Sequence, residues 1–113
     1  MTAKPRLTDL FDPARSNLEW LQLFYASCCD GAWEGEFGAS LDTTDAPGWS
    51  FVFDLRGTAL SVGESAPEQK LPAPRGVEAW LEDDEFHAEC GAHGLDAMLG
   101  AFRAWATGRL KAA

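Results

Sequence analysis

Two stretches of the chain, one near each end, place apolar residues at helical spacing. The first predicts a helix over residues 17–29, with an apolar stripe formed by Leu18, Leu21, Phe24, Tyr25 and Cys28. Ser16 and Glu19 open it as a capping box, in which each side chain accepts a hydrogen bond from a free backbone amide. The second predicts a helix beyond Gly94, with a stripe formed by Leu95, Met98, Leu99, Phe102, Trp105 and Ala106.

Between the helices the period changes to two, which is typical of strands with one buried face. A first strand is predicted over residues 33–42, and its solvent face consists of Glu34, Glu36, Ser40 and Asp42. Its core face consists of Trp33, Phe37, Ala39 and Leu41. A second strand is predicted over residues 49–55, where Phe51 and Phe53 face the core and Asp54 faces solvent. The loop at residues 43–48 makes the two strands antiparallel.

The second half of the chain predicts further hairpins. Residues 59–62 predict a short third strand. Residues 63–76 contain three prolines and predict a surface loop, because proline cannot donate to the hydrogen-bond ladder of a central strand. Residues 77–81 and 86–90 predict two more strands, joined by an acidic hairpin tip that consists of Glu82, Asp83, Asp84 and Glu85.

This order of elements predicts an α+β fold. We expect a two-layer sandwich, in which a mostly antiparallel sheet of four or five strands carries the N-terminal and the C-terminal helix on one face. Residues 1–15 show no hydrophobic periodicity and contain Pro5 and Pro13, which predicts a loosely ordered arm. Leu10 and Phe11 are the residues able to dock this arm onto the domain. Residues 16–113 are then a single domain, since no repeat and no second core are visible.

The charge balance narrows the classes of partner. Nine Lys and Arg stand against eighteen Asp and Glu, which gives a net charge of −9. This charge repels phosphate backbones and anionic head groups, so direct binding of nucleic acid or of a membrane is not expected. It favours association with a basic protein, although it also serves solubility. The sequence shows no signal peptide, no membrane span and no framework of paired cysteines, so a cytoplasmic location is expected.

Cys90 is the strongest candidate for catalysis. It lies between a predicted strand and a helix N-terminus, where the helix dipole stabilises a thiolate. A sulfurtransferase or a cysteine hydrolase using Cys90 is therefore the alternative to a binding function, and a small core residue is the structural alternative. A zinc site from Cys29, His87, Cys90 and His93 lacks a paired Cys-x-x-Cys motif. We expect no catalytic residue, no metal and no other cofactor.

A longer pattern of residues runs through the predicted elements. It comprises Trp20-Leu21-Gln22, Tyr25, Cys29-Asp30-Gly31, Trp33-Glu34, Phe37-Gly38, Asp45, Pro47-Gly48-Trp49, Asp54-Leu55, Gly57-Thr58, the run from Leu81 to Phe86, and Leu95, Leu99, Phe102 and Trp105. This pattern spans Leu18 to Trp105 and resembles the immunity protein 53 family of bacterial polymorphic toxin systems. Ala46 departs from it, since the family usually has a polar residue there, and the loop at residues 63–76 looks longer.

The resemblance implies a cytoplasmic antidote that binds and blocks a cognate toxin domain without a cofactor. Some relatives carry a rhodanese-like sulfurtransferase label, so the alternative with Cys90 stays open. The aromatic residues and glycines of the pattern are those that a core and its turns need, so we expect the toxin-binding surface among the acidic positions. This predicted surface comprises Glu34, Glu36, Asp42, Asp54, Glu82, Asp83, Asp84 and Glu85. It would bind a basic surface of the toxin, and the oligomeric state is left open.

Overall fold

The computed structural model describes residues 7–112. After a 3-10 helix at Leu7–Phe11, its elements are α1 (Asn17–Cys28), α2 (Trp33–Glu36), β1 (Ala39–Thr44), β2 (Gly48–Asp54), β3 (Gln69–Leu71), β4 (Val77–Glu82), β5 (Glu85–Gly91) and α3 (Leu95–Ala112). Among the helices of this described part, none combines the length and the apolar character needed to cross a membrane.

The five strands form one antiparallel sheet in the order β1-β2-β5-β4-β3. β5 is the middle strand, and in its pairing with β2 Phe51 lies opposite Ala88 and Phe53 lies opposite Phe86. β1 and β3 form its two edges. Gly48 allows β2 and β5 to approach closely, because a Cβ at this position would collide with the carbonyl oxygen of Cys90.

Both long helices pack on the same face of this sheet. The ring of Phe102 in α3 is fully buried, with its centroid 4.7 Å from that of Phe86 and 5.1 Å from that of Phe53. Phe24 in α1 lies 5.3 Å from Phe53 and 5.8 Å from Phe102. Since Phe53 contacts a residue of each helix, the prediction of an α+β sandwich with both helices on one face is confirmed.

The helix α1 starts as predicted but buries a different stripe. The Ser16 hydroxyl accepts a hydrogen bond from the Glu19 amide, and the Glu19 carboxylate accepts one from the Ser16 amide, which completes the capping box. The buried residues of α1 are Trp20 and Phe24, whose rings stack 5.3 Å apart, whereas Leu18 is 59% exposed and Tyr25 39% exposed. The predicted stripe is therefore wrong in part, because the larger rings turn the helix toward α3.

The first predicted strand, residues 33–42, begins later than expected. Asp30 accepts hydrogen bonds from the amides of Ala32 and Trp33, both at 2.9 Å, and this turn leads into the short helix α2. Trp33 is buried as expected, and its indole N–H donates to the carbonyl of Arg56. In β1 itself the prediction of one buried face is wrong, because none of its residues is buried at the edge of the sheet.

Two predictions for the segment after β2 are also corrected. Residues 59–62 form turns and not a third strand, since Thr58 accepts a hydrogen bond from the Leu60 amide and Asp84 accepts one from the Val62 amide. The predicted loop at residues 63–76 contains β3, which pairs with β4. β3 lies at an edge, as the prolines of this segment require.

The N-terminal segment from residue 7 packs against both helices. Leu10 is buried, and its carbonyl accepts a hydrogen bond from the Trp20 indole N–H at 2.8 Å. The Arg103 guanidinium donates to the carbonyls of Asp12 and Arg15. The arm was predicted over residues 1–15, and its residues 1–6 lie outside the part of the chain that the structure describes.

Candidate functional site

The face of the sheet opposite the helices carries acidic side chains in rows that run across the strands. Side chains alternate along a strand, so the buried residues Phe51, Phe53, Phe86 and Ala88 place their neighbours on the opposite face. We call this opposite face the acidic sheet face. Its rows are Asp42-Ser50-Glu89-Glu78, Ser40-Val52-His87-Trp80-Lys70 and Asp54-Glu85-Glu82. Lys70 is the single Lys or Arg within these rows.

The hairpin of β4 and β5 forms the centre of the acidic sheet face. Glu78 pairs with Glu89, Trp80 pairs with His87, and Glu82 pairs with Glu85. Two glutamate pairs therefore lie on either side of an aromatic pair. The rings of Trp80 and His87 stack with centroids 5.3 Å apart and planes 7° apart.

These pairs differ in how far their charges are compensated. The Trp80 indole N–H donates to the Glu82 carboxylate at 3.2 Å, and His87 Nε2 lies 3.3 Å from Glu85 Oε1. Glu78 and Glu89 are both exposed. Like charges directly opposite each other on neighbouring strands destabilise a sheet, so this face lowers the stability of the fold. Such a violation of a local rule is typical of a functional surface.

The structure brings together only part of the predicted acidic surface. Asp42, Glu82 and Glu85 lie on the acidic sheet face, with Asp42 exposed and the two glutamates half-buried. Asp83 is exposed at the tip of the hairpin. These four residues occupy positions at which a partner is able to reach them.

Asp54 lies in one of the rows but is buried, which contradicts the prediction that it faces solvent. Its carboxylate accepts hydrogen bonds from the Arg56 guanidinium at 2.7 and 3.0 Å and from the Arg56 amide at 3.0 Å. This pairing raises the pKa of Arg56. The charge of Asp54 is thus compensated within the chain, and Asp54 is a structural residue.

Asp84 is also buried, although it was predicted to belong to an exposed tip. Asp83 and Asp84 both have left-handed backbone angles, with φ of 55° and 57°, and form a two-residue hairpin turn. The Asp84 carboxylate accepts hydrogen bonds from the Ser61 hydroxyl at 2.6 Å and from the Val62 amide at 2.7 Å. It therefore holds the segment after β2 against the hairpin.

Glu34 and Glu36 lie on α2, outside the strands that form the acidic sheet face. Both side chains are exposed, and they line a groove between α1 and the start of β1. The Glu34 carboxylate accepts hydrogen bonds from the amides of Asp30 and Gly31. Since residues 33–36 form a helix, the prediction that these two acids continue a strand face is wrong.

Sequence reasoning missed four residues of the acidic sheet face: Glu78, Glu89, Trp80 and His87. The signal was present, because residues 77–81 and 86–90 were predicted as strands and these residues occupy their polar positions. Trp80 was the residue to notice. An aromatic side chain at a solvent-facing position of a strand marks a surface that is able to bury apolar area on binding.

Cys90, the alternative catalytic residue, lies within β5, opposite Trp49 on one side and Val77 on the other. Burial raises the pKa of the Cys90 thiol, which disfavours the thiolate that catalysis needs. The helix α3 begins at Leu95, and Cys90 lies beside its start, in the predicted position, since a Cβ at Gly94 would come within 3.2 Å of the Cys90 Sγ. His93 is exposed and lies outside the shallow groove that Cys90 lines.

The alternative zinc site is not assembled. His87 and Cys90 are three positions apart in one strand, so their side chains point to opposite faces of the sheet. Within residues 7–112, no cluster of three or more His, Cys, Asp or Glu side chains has the arrangement of a metal site. Cys28, Cys29 and Cys90 are not joined to one another by disulfide bonds.

These features describe a small α+β domain in which none of the helices of residues 7–112 packs on the acidic sheet face. The chain belongs to the immunity protein 53 family, whose model matches residues 18–107. The resemblance inferred from the sequence pattern is thereby confirmed. No curated protein and no solved structure matches the chain significantly.

The like-charge pair of Glu78 and Glu89 leads to a prediction about stability. Glu89→Lys replaces a repulsive cross-strand pair by an attractive one, so we expect the free energy of unfolding to rise by about 0.2–1 kcal/mol. Urea unfolding at low and at high salt measures this gain, which should shrink as salt screens the charges. Glu68→Lys makes the same charge change outside the rows. An equal gain in both variants would contradict a specific role of the pair.

The hairpin turn allows a matched test of the role assigned to Asp84. Asp83→Ala and Asp84→Ala both place alanine at a left-handed position and carry the same backbone cost. Asp84→Ala also removes two hydrogen bonds to a buried carboxylate, so we expect it to be less stable than Asp83→Ala by about 1.5–3 kcal/mol. Urea unfolding of both variants checks this difference, and equal stabilities would show that the carboxylate contributes nothing.

The position of Cys90 predicts a slow and pH-dependent thiol. In a chain that carries Cys28→Ala and Cys29→Ser, the rate of alkylation by iodoacetamide reports the Cys90 thiolate alone. Because burial raises the pKa of this thiol, we expect the rate to reach its half-maximum above the ordinary cysteine value of about 8.5. A half-maximal alkylation rate below pH 8 would mean that the thiolate is stabilised and would support the hypothesis of a thiol enzyme.

Proposed function

We propose that this chain is a toxin-immunity protein that binds a cognate bacterial toxin through the acidic sheet face and blocks it in the cytoplasm. The observation that carries the proposal is the arrangement on β4 and β5, where two glutamate pairs enclose the stacked Trp80 and His87. Membership of the immunity protein 53 family supports a role against a toxin.

The arrangement suits the binding of a basic protein surface. The rows of the face contain the exposed acids Asp42, Glu78 and Glu89, and the whole chain carries a net charge of −9. Such a field accelerates the encounter with a positively charged partner, by tenfold or more at low salt. Binding of Lys or Arg between Glu78 and Glu89 would also relieve their mutual repulsion.

Trp80 supplies the apolar part of this proposed interface. Its ring stacks on His87 and is only half-buried, so part of the indole stays available to a partner while the stacking holds it in place. Tryptophan side chains at the centre of an interface commonly contribute the largest share of the binding energy. Charge would therefore set the rate of association, and Trp80 would slow dissociation.

The proposal is tested with the product of the neighbouring gene as the candidate toxin domain. Glu78→Lys with Glu89→Lys is compared with Asp45→Lys and Glu68→Lys, which raise the net charge equally but lie outside the rows. We expect the first pair to slow association by on the order of tenfold and to flatten its salt dependence, with a smaller effect for the second.

Stopped-flow association across a salt series measures both effects, and urea unfolding shows that each variant stays folded. Equal association rates for the two double variants would refute the acidic sheet face as the binding surface. A wild-type chain that neither binds this toxin domain nor protects cells that express it would refute the immunity function itself.

A further inference from the structure

The area of the acidic sheet face points to a second binding element. Five strands at about 4.8 Å spacing and about six residues of about 3.4 Å each give a face of roughly 25 by 20 Å. This area of about 500 Å² is smaller than the about 800 Å² that each partner contributes to a standard interface. A partner that forms a standard interface would therefore also contact surface beyond this face, and the sheet's two edges, β1 and β3, are candidates for that contact.

The two edges differ in their protection against strand pairing. β3 has three residues, carries Lys70 and is followed by Pro72 and Pro74, which are features that block the addition of a strand. β1 has six residues in regular register with β2 and contains neither lysine nor proline. A free edge of this kind is a ready template for pairing with another chain.

The ladder of β1 and β2 shows which backbone groups this edge offers. The Asp54 amide donates to the carbonyl of Gly38 at 2.9 Å, directly before β1. In an antiparallel pair, hydrogen-bonded and non-bonded residue pairs alternate, so Ser40 and Asp42 bond to β2. Ala39, Leu41 and Thr43 then direct their N–H and C=O groups away from β2 and toward solvent.

Apolar surface lies beside these free groups. The exposed large hydrophobic side chains of the described chain are Leu18, Tyr25 and Leu41, at 59%, 39% and 40% exposure. Leu18 and Tyr25 line the groove between α1 and the start of β1, which has a volume of about 660 Å³. Side chains of an added strand that point to the helical side would bury this apolar area.

The charges around β1 select the kind of strand that it accepts. Asp42 lies on the acidic sheet face within β1, and Glu34 and Glu36 line the groove. A second copy of this chain would bring the same acids and another net charge of −9 against them. A segment with basic residues would pair with them instead.

We infer that the free edge of β1 accepts an extended segment of the toxin as a sixth strand, with basic residues opposite Asp42 and apolar residues beside Leu41. This inference rests on the proposed immunity function, and it adds main-chain pairing to the charged contact. Main-chain hydrogen bonds supply affinity in such strand additions, and alternate side chains supply specificity.

Residue-resolved hydrogen exchange of the wild-type chain, free and bound to the toxin domain, tests the pairing directly. We expect the amides of Ala39, Leu41 and Thr43 to exchange at least about tenfold more slowly in the complex. The edge amides of β3 serve as the internal control and should not change. Unchanged exchange at all three β1 amides in a formed complex would overturn the inference.

A variant pair separates the backbone of Leu41 from its side chain. Leu41→Pro removes an outward N–H, which an edge strand tolerates, whereas Leu41→Val keeps both the N–H and an apolar side chain. We expect Leu41→Pro to weaken binding of the toxin domain at least about tenfold relative to Leu41→Val, as measured by calorimetry. Equal affinities would overturn the inference, and hydrogen exchange decides it if Leu41→Pro does not fold.

These results distinguish the two proposals from each other. If charge reversal at Glu78 and Glu89 abolishes binding, but the β1 amides of the wild-type complex are not protected, the immunity function stands and the sixth strand is refuted. Absence of any binding by the wild-type chain would remove both. A dimer of this chain alone that protects the β1 amides would overturn the choice of a basic partner, and sedimentation of the free chain detects it.

Discussion

The packing of Phe102 against the central strands is the interaction on which the rest of the structure depends. Its ring contacts Phe51 and Phe53 of β2 and Phe86 of β5. Each of these four phenylalanines is at most 1% exposed. Because side chains alternate along a strand, burying these phenylalanines places their neighbours on the other face. The acidic sheet face is thus the necessary counterpart of the aromatic core. A shift of one residue in register would exchange the two.

The helices, the hairpins and the layer order were predictable because they follow from periodicity and capping. The errors in the predicted acidic surface share one physical cause, which is that acidic side chains bind backbone amides of the chain itself. Asp54 accepts from the Arg56 amide, Asp84 from the Val62 amide, and Glu34 from the Gly31 amide. Periodicity classifies such residues as solvent-facing, since it does not register local competition between side chains and backbone.

The length of one turn decides how far the acidic sheet face extends along the hairpin. A four-residue tip over residues 82–85 already places Leu81 opposite Phe86, but it leaves Glu82 and Glu85 outside the strands. The turn has only two residues, Asp83 and Asp84, and aspartate is one of the few residues that tolerate the left-handed angles found there. Once the turn is known, the three facing pairs of β4 and β5 follow by counting.

On this proposal the acidic sheet face and the free edge of β1 contribute differently to binding, the first to its rate and the second to its specificity. An acidic field attracts basic proteins in general, so it accelerates encounter but distinguishes poorly between them. A strand edge demands an extended segment in register, which a folded basic surface without such a segment cannot supply. Asp42 belongs to both elements, because it ends a charged row and lies within β1. On this proposal a toxin is first attracted by charge and then selected by whether one of its segments pairs beside Asp42.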